Sequence, residues 1–153
     1  MDLILWRHAD AWEAKPGQDD LSRALTPRGE KQAQRVGQWL DQSLPEGTRI
    51  LCSPALRCEQ TVRALGRKFK LRDALSPGST VDDVLESARW SVSRNPVLVV
   101  GHQPTLGAVI AHLLQMQTPS CSVRKGAVWW LRLRQKDGQS SAMVLAVMHP
   151  DKL

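Results

Sequence analysis

The stretch LILWRHAD, Leu3–Asp10, decides how the rest of the chain is read. Leu3 to Trp6 is a short, continuous apolar run, the pattern of a strand covered on both faces. Arg7 and His8 follow at once. The end of a buried strand is a poor place for two well-hydrated cationic side chains unless something anionic meets them there. In open α/β sheets, ligands bind beyond the carboxyl ends of the strands. The same eight residues therefore point to a fold class and to where its site lies.

Two more runs of this kind stand further along. Val97–Val100 follows the breaker Asn95-Pro96 and leads into Gly101-His102-Gln103-Pro104, and Arg49–Cys52 leads into Ser53, with Arg57 one helical turn later. Helical patterns lie between the runs. Thr26 reads as an N-cap with Pro27 at the first helical position, and Ala33, Val36, Gly37, Leu40 and Leu44 form one face, closed by Pro45 and Gly47. Ser53-Pro54 repeats the cap-then-proline start, ahead of Ala55, Cys58, Val62 and Leu65. Thr80–Asp83 has the form of a capping box, continued by Val81, Val84, Leu85 and Ala88. Leu106, Val109, Ile110, Leu113 and Leu114 give a fourth stripe. Ala127–Leu133 and Ala142–Met148 read as strands about the turn Lys136-Asp137-Gly138. The order β, α, β, α, α, β, α, β, β predicts a three-layer α/β/α sandwich with a mostly parallel central sheet. One domain is expected over residues 1–153.

Composition narrows the function. The chain has 153 residues, 42% of them hydrophobic, and a formal net charge of +6, so it has enough apolar side chains for a core and favours anionic partners. Its 3 Cys, at 52, 58 and 121, suit neither a disulfide framework nor a clustered zinc site, and a reducing compartment is expected. The opening MDLILW reaches Arg7 too soon for a signal-peptide core, and no run approaches the roughly 20 apolar residues of a membrane span. A soluble, cytoplasmic protein is expected, with no membrane partner.

If the three apolar strands are parallel neighbours, Arg7, His8, Arg57 and His102 converge on one spot. Ser53 and Gln103, at the starts of two helices, would join Arg7 and Arg57 as substrate ligands, with backbone N–H groups adding donors. This is the composition of a phosphate pocket: arginine gives fork-shaped donors to phosphate oxygens, and histidine serves as nucleophile or donor. Cys52–Arg57 falls one residue short of the cysteine-phosphatase spacing and has Pro54 where a phosphate loop needs small, flexible residues. A metal held by His8, Asp10 and His102 would be repelled by the adjacent arginines, so neither metal nor cofactor is expected. His112 and His149 read as structural, and Trp129-Trp130 as one core and one surface residue.

Four ordered blocks carry a resemblance: RHA (7–9), LTPRGEKQA (25–33), SPALRCEQT (53–61) and VGHQPTLG (100–107). Together they resemble the histidine phosphatase superfamily, which shares a fold with the cofactor-dependent phosphoglycerate mutases. The small size, the RHAD variant and the compact middle are most similar to its SixA-type phosphohistidine phosphatases. The resemblance implies that His8 is the nucleophile that becomes transiently phosphorylated. It implies that Arg7 and Arg57 hold the phosphoryl group and that His102 donates to its oxygens. The chemistry agrees, since phosphoryl transfer rests mainly on positioning and electrostatics. Arginines also lower the pKa of an imidazole between them, which keeps it a neutral nucleophile.

Two departures bear on the substrate. The first motif of the wider family commonly reads R-H-G with an asparagine further on, whereas Ala9, Asp10, Ala11 and Trp12 follow His8 here. The wider family also has a general acid, usually glutamate, in its middle segment. That segment is short here and offers Asp82, Asp83 and Glu86 by position alone. An alkoxide leaving group needs such an acid, whereas the imidazole of phosphohistidine protonates readily. The expected function is therefore metal-independent hydrolysis of a phosphorylated protein carrying phosphohistidine. The alternatives are a phosphatase of small phosphorylated molecules and a non-catalytic basic domain binding phosphate or nucleic acid. With 1 Phe and no Tyr, no basic-aromatic platform is present and no nucleic acid is expected.

Overall fold

The computed structural model of the protein describes residues 1–90 and 92–153. Six strands form one sheet: β1 (Asp2–Arg7), β2 (Arg49–Cys52), β3 (Lys70–Leu71), β4 (Val97–Gly101), β5 (Val128–Lys136) and β6 (Gln139–Met148). Their spatial order is β3-β2-β4-β1-β5-β6. The first four run parallel, and β5 and β6 are antiparallel additions beside β1. The helices are α1 (Pro27–Ser43), α2 (Leu56–Arg63), α3 (Val81–Ser87) and α4 (Thr105–Leu113).

Side-chain alternation explains the continuous apolar runs. Leu3, Leu5, Leu51, Val97 and Val99 pack with Val84 and Ala88 at α3 and with Leu106, Val109 and Ile110 of α4. Ile4, Trp6, Ile50, Leu98 and Val100 face the other way, onto Val36 and Leu40 of α1 and Cys58 and Val62 of α2. Both faces of the parallel strands are thus covered, as the three-layer expectation requires. Trp130 joins the second cluster while Trp129 is half-buried.

The register aligns the carboxyl ends. Arg7 of β1 lies opposite Gly101 of β4, and Cys52 of β2 opposite Val100. Thr26 caps α1 by accepting from Gly29 N at 3.0 Å, and its hydroxyl donates to Asp10 Oδ2 at 2.7 Å. The start of α1 is thereby tied to the segment after His8. A Cβ at Gly29 would run into the Asp10 carbonyl, so only glycine permits that approach. The capping box at Thr80 and Asp83 is present in both directions.

Three elements differ from expectation. Ser53-Pro54 does not start α2: Ala55 holds the N-cap position and makes no side-chain cap, because the Ser53 side chain is engaged elsewhere. The two-residue strand β3 was not anticipated, since so short and exposed a segment carries no periodicity. The final hairpin is longer than predicted, with Lys136 paired to Gln139 across Asp137 and Gly138, which have φ of 54° and 75°. Two left-handed residues suit a two-residue hairpin, and polar residues carry its tip past the core.

Candidate active site

Three strand ends bring the expected residues together. The β1 end supplies Arg7 and His8, the β4 end supplies His102, and the first turn of α2 supplies Arg57. Arg7, His8, Arg57 and His102 line one cavity of about 240 Å³. The two imidazole rings are 5.4 Å apart, tilted by 56°. A larger cavity of about 690 Å³, beside Thr48, Arg49 and Phe69 at the opposite end of β2, contains no histidine and no carboxylate. Chemistry, not volume, selects between them.

His8 is buried, and its Nδ1 lies 2.8 Å from the Ala9 carbonyl oxygen. A carbonyl only accepts, so Nδ1 carries the proton and Nε2 keeps its lone pair. Burial, followed by the charges of Arg57 and Arg7, brings the His8 pKa down to about 4, against the opposing Ala9 contact. The imidazole is neutral at pH 7. Burial, then the neighbouring His8 and Arg57, similarly lowers His102 to about 3.

The arginines are held from behind. Arg7 donates from Nη1 to the Val123 carbonyl at 2.9 Å. Arg57 donates from Nη1 to the Asp20 carbonyl at 2.8 Å and from Nη2 to Asp20 Oδ2 at 3.0 Å. The buried Nε of each has no acceptor among the described residues. Two adjacent guanidinium groups repel, and burial with the charge of Arg57 lowers the Arg7 pKa. An oxyanion between them would supply the counter-charge that Arg7 lacks among the described residues.

Ser53 and Gln103 differ from their expected roles. Ser53 is fully buried and does not line the cavity. Its Oγ lies 2.7 Å from His102 Nε2 and accepts from Ala55 N at 3.2 Å. It supports a ring that faces the cavity and does not face the cavity itself. Gln103 does line the cavity, but its amide is engaged at both ends: Oε1 accepts from Gly107 N at 2.6 Å and Nε2 donates to the Cys121 carbonyl at 2.9 Å. It clamps the start of α4 to the segment after it.

Asp82, Asp83 and Glu86, the candidate acids, lie on α3 and do not line the cavity. Asp83 is occupied with its capping box. The carboxylate that does line the cavity belongs to Glu13, and Arg23 and Lys125 add two cations. These three were missed because they sit in segments without periodicity, and only the fold brings them to the site. Asp20 was also missed. Burial raises its pKa, but hydrogen bonding and charge from Arg57, then Arg23, outweigh this and hold it low.

Two thiols lie beneath the pocket. Cys58 Sγ is 3.5 Å from His102 Nε2, and Cys52 Sγ donates to the Ser53 carbonyl at 3.2 Å. Burial pushes the Cys58 thiol up to about 12 and raises that of Cys52 further. Neither is a thiolate at neutral pH. Among the described residues, no group of three or more His, Cys, Asp or Glu is placed to hold a metal ion, and no helix is long and apolar enough to cross a membrane.

Comparison with known proteins bears on this geometry. Residues 3–78 match the family model of the Histidine phosphatase superfamily (branch 1). The chain is similar to Phosphohistidine phosphatase SixA of Escherichia coli K12, with 33% identity over 127 residues, 78% of each chain. Its fold is similar to that of a solved SixA-type protein from Nakamurella multipartita, described as putative, with a TM-score of 0.80 and 32% identity over 97% of this chain and 95% of the other. It is also similar to the protein histidine phosphatase SixA complexed with tungstate, with a TM-score of 0.80, 26% identity and 99% of both chains covered.

Proposed function

The chain belongs to the histidine phosphatase superfamily, and from that premise we propose that it removes a phosphoryl group from phosphohistidine on a protein, through a phosphorylated His8. The observation that carries this reading is the His8–Ala9 contact, which leaves Nε2 neutral and unprotonated inside a frame of arginines. The relatives' own phosphohistidine chemistry supports the substrate class.

In the first step the His8 Nε2 lone pair attacks phosphorus and the substrate's P–N bond breaks. That bond's electrons return to the departing imidazole, which leaves neutral if its other nitrogen was protonated beforehand. Arg7, Arg57 and a His102 Nδ1–H stabilise the equatorial oxygens. For His102 to donate from Nδ1, its Nε2 must accept, and the Ser53 hydroxyl, 2.7 Å away, is the group that can donate to it; Arg57 Nη2, a donor 3.5 Å from Nδ1, then turns to the phosphoryl oxygens. Phospho-His8 carries a proton on Nδ1, held against Ala9, and is therefore a good leaving group. In the second step water adds to phosphorus, the P–Nε2 bond breaks, and its electron pair returns to Nε2. The water's protons leave with inorganic phosphate or to solvent.

No strong acid is needed for an imidazole that leaves already protonated. Glu13 at the cavity favours a second reading, a phosphatase of small phosphate esters in which it protonates the leaving oxygen. Three unpaired cysteines suit a cytoplasmic setting.

The test compares wild type and His8→Ala in EDTA on a phosphohistidine-bearing protein domain and an aryl phosphate. A sample quenched in alkaline detergent is assayed for phosphate on the enzyme that is stable to base and lost in acid. Fast loss from the domain, absent in the variant, with phosphate trapped on His8, is expected. Turnover of the aryl phosphate alone would favour the second reading, and turnover persisting in His8→Ala would overturn both.

A further inference from the structure

One side of the cavity opens onto a shoulder of unneutralised charge. A cavity of about 370 Å³ shares Arg7 and Lys125 with the active site and continues to Arg28, Arg124 and Asp151. Arg28 and Asp151 also line a third cavity of about 430 Å³, which extends along α1 to Lys31 and Arg35. Arg28, Lys31 and Arg35 stand at i, i+3 and i+7, so they form one exposed stripe. None of these three, nor Arg124, forms an ion pair among the described residues. Lys125 alone on the shoulder is paired, to Asp10 at 3.1 Å, and Asp151 is the remaining carboxylate.

The shoulder is fixed relative to His8. Gly29 presses the start of α1 onto the Asp10 backbone, and the Thr26 hydroxyl donates to the Asp10 carboxylate. The segment bearing Arg124 and Lys125 is pinned by Arg7 on the Val123 carbonyl and by Gly126 N donating to the His8 carbonyl at 3.0 Å. Whatever lies on the shoulder is therefore held at a set distance from the attacking nitrogen. None of the residues lining the shoulder is aromatic, so it has no surface for stacking bases.

We propose that this basic shoulder docks the substrate protein itself, which presents an acidic face around its phosphorylated histidine. The inference rests on the phosphohistidine reading above. The active-site cavity receives the phosphorylated side chain. The shoulder receives the surrounding surface, steers it in by charge complementarity and fixes its orientation.

The test measures kcat/KM on free phosphohistidine, on an acidic domain carrying phosphohistidine, and on an aryl phosphate. The enzymes are wild type and Arg28→Glu/Lys31→Glu/Arg35→Glu. For wild type, kcat/KM on the acidic domain should fall about tenfold from 20 to 200 mM NaCl, with little change on free phosphohistidine. The triple variant should lose at least about tenfold on the domain, mainly through KM, and keep its aryl phosphate activity, which also reports an intact fold. Equal kcat/KM for domain and free phosphohistidine, unaffected by salt or by the variant, would overturn the docking surface and leave the phosphohistidine reading intact. Aryl phosphate turnover with no phosphohistidine hydrolysis would overturn that reading and the docking together. Binding of a single-stranded oligonucleotide that the triple variant loses, with domain turnover unchanged, would assign the shoulder to nucleic acid instead.

Discussion

His8 is uncharged at neutral pH, and this couples the state a nucleophile would need to the stability of the fold. Its pKa is about 4 in the folded chain against about 6.5 for a free imidazole. Between those values the unfolded chain takes up a proton that the folded chain refuses, so folding weakens as pH falls from 6.5 to 4. The stability lost is about 3 kcal/mol for this residue alone. Urea unfolding at pH 7 and pH 5 should show the loss, and His8→Gln should flatten the slope. Imidazole ¹⁵N spectra at pH 7 should show His8 neutral and protonated on Nδ1. Ser53→Ala should lower kcat about 10- to 100-fold with little change in KM, and the same spectra should show a mixed His102 tautomer. Glu13→Gln should slow hydrolysis of alkyl phosphates while sparing phosphohistidine; an equal loss on both would remove Glu13 from leaving-group chemistry. At this scale the sequence was legible where a side chain follows an apolar strand, as at Arg7, His8 and His102. It was misleading where a hydroxyl had two uses. Ser53 reads as a helix cap beside Pro54, but its partner His102 is 49 residues away in the chain.

Elements carry the site because their ends coincide. The β1–β4 register sets Arg7 beside Gly101, and a one-residue slip would send every side chain of the slipped strand into the opposite buried layer and part His8 from His102. The helices are locked to this frame by close backbone approaches that leave no room for a methyl group. Gly29→Ala places a Cβ against the Asp10 carbonyl, and Gly107→Ala places one against that of Cys121. Each should cost about 1–3 kcal/mol in urea unfolding. Gly29→Ala should also reduce turnover beyond that loss, because it shifts the segment holding His8. The four main helices were legible from apolar spacing and caps. Asp20, Arg23 and Lys125 were not, since their neighbours are set by how loops cross the sheet end and no local pattern encodes that.

At the scale of the molecule, the sheet divides labour between its two ends. The carboxyl ends of β1, β2 and β4 face the histidine–arginine cluster, while the opposite end of β2 borders a larger cavity that lacks it. The net charge of +6 gave only a preference for anions. The fold resolves that preference into arginines gathered at the pocket and a stripe along α1, a distribution that a sum over residues hides.

The sulfur beneath His102 has a bearing on the conditions the protein tolerates. A phosphatase that attacks through a thiolate is silenced by hydrogen peroxide and by alkylating reagents, because the reactive anion is what they consume. Here Cys58 lies 3.5 Å from the His102 ring yet stays a buried thiol. Treatment with peroxide or iodoacetamide should therefore leave turnover unchanged.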